Sequence, residues 1–224
     1  MMMTRMTEEN LIHTSLPWHL SGEGYILNYW ISPSFIRAHR NFGLAPSKWG
    51  RMVQVILVRY HTSPVGPYDE LLLLDHTTTS FNLRSNIPKI YVSTQTSVDE
   101  GRFHWGIPKE LATFKWSQSV QHLHCEITVG DETLSVDLDL STLKPSPTIS
   151  SALIPSRLLN IHQQDHQFSY QFSPEFVSKI AYISKANWQN SQSIFPDFST
   201  AVFMKGFYST DFQLVFPAAV KTSL

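Results

Sequence analysis

The sequence predicts a mainly β protein with a few short helices, its strands organised as a closed or strongly curved antiparallel sheet. Three observations carry that expectation. Leu123, Cys125, Ile127 and Val129 alternate with polar residues, and Leu134, Val136, Leu138 and Leu140 do the same after Gly130-Asp131, the pattern of a hairpin with one packed face. Residues 51–60, RMVQVILVRY, are rich in the branched side chains that strands favour. The 13 prolines and 9 glycines cut the rest into short pieces, which leaves little room for long helices.

Residues 1–16 read as a polar, flexible N-terminal segment, and residues 17–224 as a single domain. Residues 25–30, YILNYW, form a largely buried strand entered past Gly22 and Gly24, which read as turn residues. Ser32 caps a short helix with Pro33 at its first position. After the strand at 51–60, the Pro/Gly loop HTSPVGPYDE delivers Tyr68, Asp69 and Glu70 to a strand at 71–74, whose four leucines imply burial on both faces. The threonines, serines and asparagines of 76–86 suit a hairpin connection or ligand-facing loop, and 90–96 is the next strand. Ser97, with Glu100 three residues on, reads as the capping box of a short helix. Residues 144–155 are the best linker candidate, too short to demand a domain boundary. FSYQF at 168–172 is strand-like. Ser173-Pro174 opens a helix through Ile183, although its Ile and Val content leaves a strand open. Residues 212–216 form the last strand, stopped by Pro217.

The 224 residues are 42% hydrophobic, enough for a sizeable core, and the formal net charge of -1 gives no basis for electrostatic capture of nucleic acid or an acidic membrane. The single cysteine, Cys125, excludes an intrachain disulfide framework and a cysteine-cluster metal site. The N-terminal stretch lacks the apolar core of a secretory signal and no stretch is long enough to span a bilayer, so a cytoplasmic protein is expected. His122, His124, Glu126, Asp137 and Asp139 fall on the polar face of the hairpin, where solvated strand residues explain them without a metal.

The stretch 97–116, SVDEGRFHWGIPKELATFKW, organises the rest. Gly106 permits an unusual dihedral, and Pro108 fixes its own φ and restricts Ile107, so Lys109 stands at a rigid corner with Phe103, Trp105, Leu111, Phe114 and Trp116 nearby. A buried amine loses its charge more readily, and a neutral lysine attacks a ketone to form a Schiff base. The alternative is a lysine that snorkels to solvent above an aromatic core. Arg102 can anchor a carboxylate or pair with Asp99 or Glu100. Glu70 can move protons or order Arg102, His104 can carry a proton, and Tyr68 and Trp105 can wall a pocket or simply pack.

Gly101, Arg102, Gly106, Pro108, Lys109, Leu111 and Ala112, read as GR-x-x-x-G-x-PK-x-LA, resemble the active-site segment of the acetoacetate decarboxylase superfamily. The Arg-x-x-Trp-Gly-Ile-Pro-Lys wording, with Arg102 and Trp105, fits the small decarboxylase-like branch better than the classical enzyme, and Gly66, Pro67, Tyr68, Asp69, Glu70, Leu71 and Leu72 resemble that branch at a second place. The resemblance implies a barrel or double cone with Lys109 as nucleophile in its apolar interior, no cofactor and no metal. It implies a small β-keto acid or related carbonyl metabolite as partner, and common assembly into homo-oligomers. Where the classical enzyme has a second lysine, this chain has Glu110, whose carboxylate would stabilise an ammonium if it faced Lys109. Decarboxylation, imine-dependent aldol or dehydration chemistry, and non-catalytic binding are the three functions that follow.

Overall fold

The computed structural model describes residues 13–79, 82–142, 147–189 and 193–224. Its first strands are β1 (Trp18–Ile31), β2 (Arg51–Thr62), β3 (Tyr68–Thr79) and β4 (Asn82–Val92), with helix α1 (Pro33–Ala38) after β1. Helix α2 (Gln95–Trp105) then leads to β5 (Lys109–Leu111), β6 (Thr113–Gln118), β7 (His122–Val129), β8 (Glu132–Leu140) and β9 (Thr148–Ser150). After the short α3 (Ser156–Leu159) come β10 (Ile161–Gln164), β11 (Phe168–Phe172), β12 (Glu175–Lys179), β13 (Ala181–Gln189), β14 (Val202–Phe216) and β15 (Val220–Ser223). Among the described residues no helix is long and apolar enough to cross a membrane.

The mainly β class with short helices holds, but the barrel or double cone does not. The strands run in the order β15-β11-β10-β4-β3-β2-β1-β14-β13-β8-β7-β6, with β12, β9 and β5 as side branches, and the sheet is neither closed nor strongly curled. Alternating runs specify which face of a strand is buried and which neighbours pair. Closure needs an extra ladder between the two ends, and β6 and β15 carry the polar, exposed residues of free edges instead.

The central strands are buried on both faces, as the leucine run implies. Tyr25, Leu27 and Tyr29 of β1, Val53, Val55 and Leu57 of β2, and Leu71 and Leu73 of β3 share one core with the inward residues of the β7–β8 hairpin. Residues of the other parity, among them Val58, Tyr60, Tyr68, Leu72, Ile90 and Val92, form a second core with Val98 and Trp105 of α2 and Ile107 just beyond it. Beyond the leucines, Asp75 is fully buried and accepts two bonds from Arg51, from Nε to Oδ1 and Nη2 to Oδ2, both 2.6 Å.

Several local expectations change. Gly22 and Gly24 lie inside β1, where they flank a register shift against β14. The expected loop at 76–86 is instead the paired ends of β3 and β4, with residues 80–81 outside the described ones. The possible helix after Ser173-Pro174 is two strands, β12 and β13, the outcome its branched residues left open. Of the linker candidate, 143–146 lie outside the described residues and 148–150 pair with β12. Of the N-terminal segment, residues 1–12 lie outside the described ones, while His13 and Thr14 bond to Glu100.

Candidate active site

Three neighbouring strands and one helix converge on Lys109. Its place begins at α2, which is capped by Thr94 rather than by Ser97: the Thr94 hydroxyl accepts from Ser97 N at 3.4 Å. Both residues are competent caps, and once Thr94 takes that role the Ser97 hydroxyl is left for another partner. The helix ends at Gly106, in the left-handed region at φ 61°, where a Cβ would also stand 2.5 Å from the Tyr170 ring. Lys109 N–H then donates to Ile107 O at 2.8 Å across Pro108, closing the corner that the sequence implies.

From that corner β5 runs parallel to β4 with Lys109 beside Ile90, on the face of the second core. Lys109 is 4% exposed and Glu70 likewise 4%, so the lysine does not snorkel to solvent. Its Nζ stands 3.2 Å from Glu70 Oε2, donates to Ser97 Oγ at 3.0 Å, and lies 5.1 Å from the centre of the Tyr68 ring. Tyr60 donates its hydroxyl to Glu70 Oε1 at 3.2 Å. Tyr60, Tyr68 and Glu70 share this face because β2 and β3 pair Tyr60 with Tyr68 and Val58 with Glu70. Burial, and then the Glu70 carboxylate, push the hydroxyls of both Tyr60 and Tyr68 well above the ordinary phenol value.

The amine opens into a small cavity walled by Trp18, Leu20, Leu72, Ile87, Ile90, Trp105, Ile107 and Phe216, with Tyr60, Tyr68 and Glu70 as its other polar members. The enclosed space is about 20 Å³, on a measure by which one water needs about 10–15 Å³. Most of its walls are remote in sequence. Of the rings expected around Lys109, only Trp105 lines the cavity; it also donates Nε1 to Pro217 O at 2.7 Å. Phe103 and Leu111 are half exposed, and Phe114 and Trp116 pack against the first core.

The other expected site residues are placed as follows. Tyr68 and Glu70 stand at the amine. Arg102 is exposed and does not reach the cavity; its Nη2 donates to the backbone oxygen of Lys109 at 2.6 Å, so it fixes the corner from outside. Glu110 alternates to the opposite face of β5 from Lys109 and pairs with Lys89 Nζ at 2.6 Å. His104 lies outside the cavity, its Nε2 3.1 Å from Glu100 Oε2. Glu100 also accepts from His13 Nδ1 at 2.9 Å, from Thr14 N at 2.9 Å and from the Thr14 hydroxyl. Burial raises the Glu100 pKa, but these donors together outweigh it and hold the carboxyl below its usual range. Sequence reasoning missed Ser97 as a partner of the amine, Tyr60 as a partner of Glu70, and the packing of the Lys109 side chain against Gly101, where a Cβ would stand 2.6 Å from Lys109 Cδ. Strand parity was the available signal for Tyr60; the helical spacing of Ser97 and Gly101 was the signal for the other two.

The chain matches no protein-family model and no curated protein. Solved structures do share its fold. An acetoacetate decarboxylase from Legionella pneumophila has a TM-score of 0.69 at 12% identity, over 97% of this chain and 92% of that one. The enduracididine biosynthesis enzyme MppR complexed with pyruvate has a TM-score of 0.62 at 16% identity, over 95% and 93%. MppR complexed with the condensation product of pyruvate and imidazole 4-carboxaldehyde has a TM-score of 0.60 at 15% identity, over 96% and 92%. At such identities the likeness is one of fold.

Proposed function

We propose that this chain, folded like acetoacetate decarboxylase, is a Schiff-base-forming lyase of the small decarboxylase-like branch of that superfamily, acting on a small β-keto acid through Lys109. The observation that carries the reading is the buried amine in an apolar cavity with the Glu70 carboxylate 3.2 Å away.

In this reaction Nζ gives a proton to Glu70 and attacks the keto carbon, forming a C–N bond. Glu70 returns a proton to the carbinolamine hydroxyl, which leaves as water, and the remaining N–H is part of a protonated imine. The bond to the substrate carboxylate breaks and its electron pair moves into the imine, leaving carbon dioxide and an enamine. Protonation of the enamine carbon and hydrolysis return ketone and amine. Tyr60 holds Glu70 in place, and Arg102 positions the backbone of Lys109 without touching substrate. Among the described lining residues the amine itself is the only cation, so a bound carboxylate loses its hydration and recovers stability by leaving as neutral carbon dioxide. A keto acid exceeds the enclosed space, so binding requires the lining rings to move apart.

A second reading, imine-dependent aldol or dehydration chemistry, is favoured by the likeness to MppR, whose solved complexes hold pyruvate and a condensation product. The test is borohydride reduction in the presence of β-keto and α-keto acids, followed by peptide mapping. A ligand-dependent adduct on Lys109, absent from Lys109→Ala, is expected. Carbon dioxide and ketone as products support decarboxylation, whereas an enone or condensation product supports the second reading. Reversible binding with no adduct makes the chain a binding protein instead.

A further inference from the structure

Beside Trp18, whose ring meets that of His104 edge-on, His13, Glu100 and His104 bring two imidazoles and a carboxylate together. We infer that these three residues form a binding site for a divalent zinc-class metal ion that fastens the segment before β1 onto α2. The site is separate from the lysine cavity, which it does not line.

The donor set points to the ion. Two imidazole nitrogens with one carboxylate oxygen suit zinc and its first-row neighbours better than the all-oxygen shells that calcium and magnesium prefer. One ligand atom from each residue lies within 4.8 Å of the others, the only such group of three His, Cys, Asp or Glu side chains among the described residues. His13 Nδ1 is 2.9 Å from Glu100 Oε1, and His104 Nε2 is 3.1 Å from Glu100 Oε2. Around a tetrahedral zinc with ligands at about 2.0–2.1 Å, neighbouring donors stand about 3.3 Å apart; both histidine–carboxylate pairs are already near that spacing, and donors within 4.8 Å of one another would draw in around the ion.

The surroundings hold the donors in place. Glu100 and His104 are one helical turn apart on α2, hence on the same face. Their side chains are 7% and 10% exposed, against 28% for His13, which leaves the open side of the site at His13 for a water as fourth ligand. The His13 ring stacks on Phe103 with centroids 3.3 Å apart and planes 5° from parallel. Thr14 donates its backbone N–H and its hydroxyl to Glu100 Oε2, the outer contacts that orient a ligating carboxylate. Binding the ion would replace the present imidazole–carboxylate hydrogen bonds with bonds to the metal. The hairpin histidines differ: His122 pairs with Asp139, and His124 with Asp137 and, at 3.7 Å, Glu126, on exposed or half-exposed strand faces where no three such ligand atoms gather as closely.

The ion would act structurally. Thr14 Oγ1 accepts from Trp18 Nε1 at 2.9 Å, and Trp18 is a wall of the lysine cavity, while α2 carries Ser97 and Gly101 against Lys109. Fastening residue 13 to α2 therefore braces two sides of the amine's surroundings.

The test uses the full-length chain stripped with a chelator and titrated with Zn²⁺ by calorimetry and with Co²⁺ by visible absorption. One saturable equivalent is expected, with the intense bands of four-coordinate Co²⁺. His13→Ala, His104→Ala and Glu100→Gln should each weaken binding by about tenfold or more, and a His122→Ala/His124→Ala double variant should not. X-ray absorption on the zinc-loaded natural chain should count two imidazole ligands, which decides the matter even if the variants fold poorly. No stoichiometric binding, weak six-coordinate Co²⁺ bands, fewer than two imidazoles, or undiminished binding by a folded His13→Ala/His104→Ala variant each overturns the inference.

Discussion

Gly101 leaves open the space that the Lys109 side chain fills: a Cβ at Gly101 would stand 2.6 Å from Lys109 Cδ and 2.8 Å from its Cε. The obstructed atoms are the far end of a flexible chain, so relief comes from moving the lysine and not the helix. Alanine is also the better helix former by about 1 kcal/mol. Gly101→Ala is therefore expected to keep the fold by circular dichroism, while moving the amine from Glu70 and lowering the rate of borohydride-trapped adduct formation by about 100-fold. An undiminished rate would mean that the amine does not work from its present position.

Gly106→Ala should do the reverse, acting on stability first. The left-handed backbone costs a non-glycine residue about 1–2 kcal/mol, and the new Cβ would displace the Tyr170 ring, whose hydroxyl donates to Asp165 Oδ2 at 2.7 Å. Urea unfolding of the purified variant measures that loss.

Glu70→Gln keeps the shape beside Nζ and removes the proton acceptor. Turnover should slow by about 100-fold or more, as for a lost general base, with the fold intact by circular dichroism. Glu110→Gln, by contrast, breaks only the pair with Lys89 on the other face of β5 and should leave the pH profile of adduct formation where it was.

The buried tyrosines predict alkaline instability. Burial first, then nearby carboxylates at Tyr25, Tyr60 and Tyr68, raises the phenol pKa values of Tyr25, Tyr29, Tyr60 and Tyr68 above the ordinary value near 10. Below that value folded and unfolded chains both keep these protons, and the stability is fully present. Above it the unfolded chain ionises and the folded one does not, so stability falls as pH rises, by up to about 1.4 kcal/mol per pH unit for each phenol. Absorbance at 295 nm should show these four ionising together with unfolding. Their reversible ionisation near pH 10 in the folded chain would contradict the burial.

The corner that holds Lys109 was legible because its causes are local: a glycine that can take positive φ and a proline two residues on. The hairpin of β7 and β8 was legible because alternation with a Gly-Asp turn has few other solutions. The cavity walls were not, because Phe103 and Leu111 are neighbours of Lys109 only along the chain, whereas Trp18, Ile87 and Phe216 reach it through sheet pairing. The contact of Arg102 was hidden for a related reason. Its charge suits a substrate carboxylate, but its place on α2 turns it to solvent and to a backbone oxygen. The closed sheet failed because no single run of residues says whether the outermost strands meet.

A row of four leucines is indifferent to parity. Shifted by one residue along β2, Leu71 to Leu74 would still bury two side chains on each face, yet the shift would turn Glu70 away and present Asp69 or Leu71 on the side of Lys109. The choice is settled at the ends of the row. Tyr68 packs on Tyr60 with ring centres 4.6 Å apart, and beyond the last leucine Asp75 meets Arg51. A slipped β3 would strand a buried aspartate without its guanidinium, a penalty of about 3–5 kcal/mol. Which acid faces the amine is thus decided by an ion pair that never touches it.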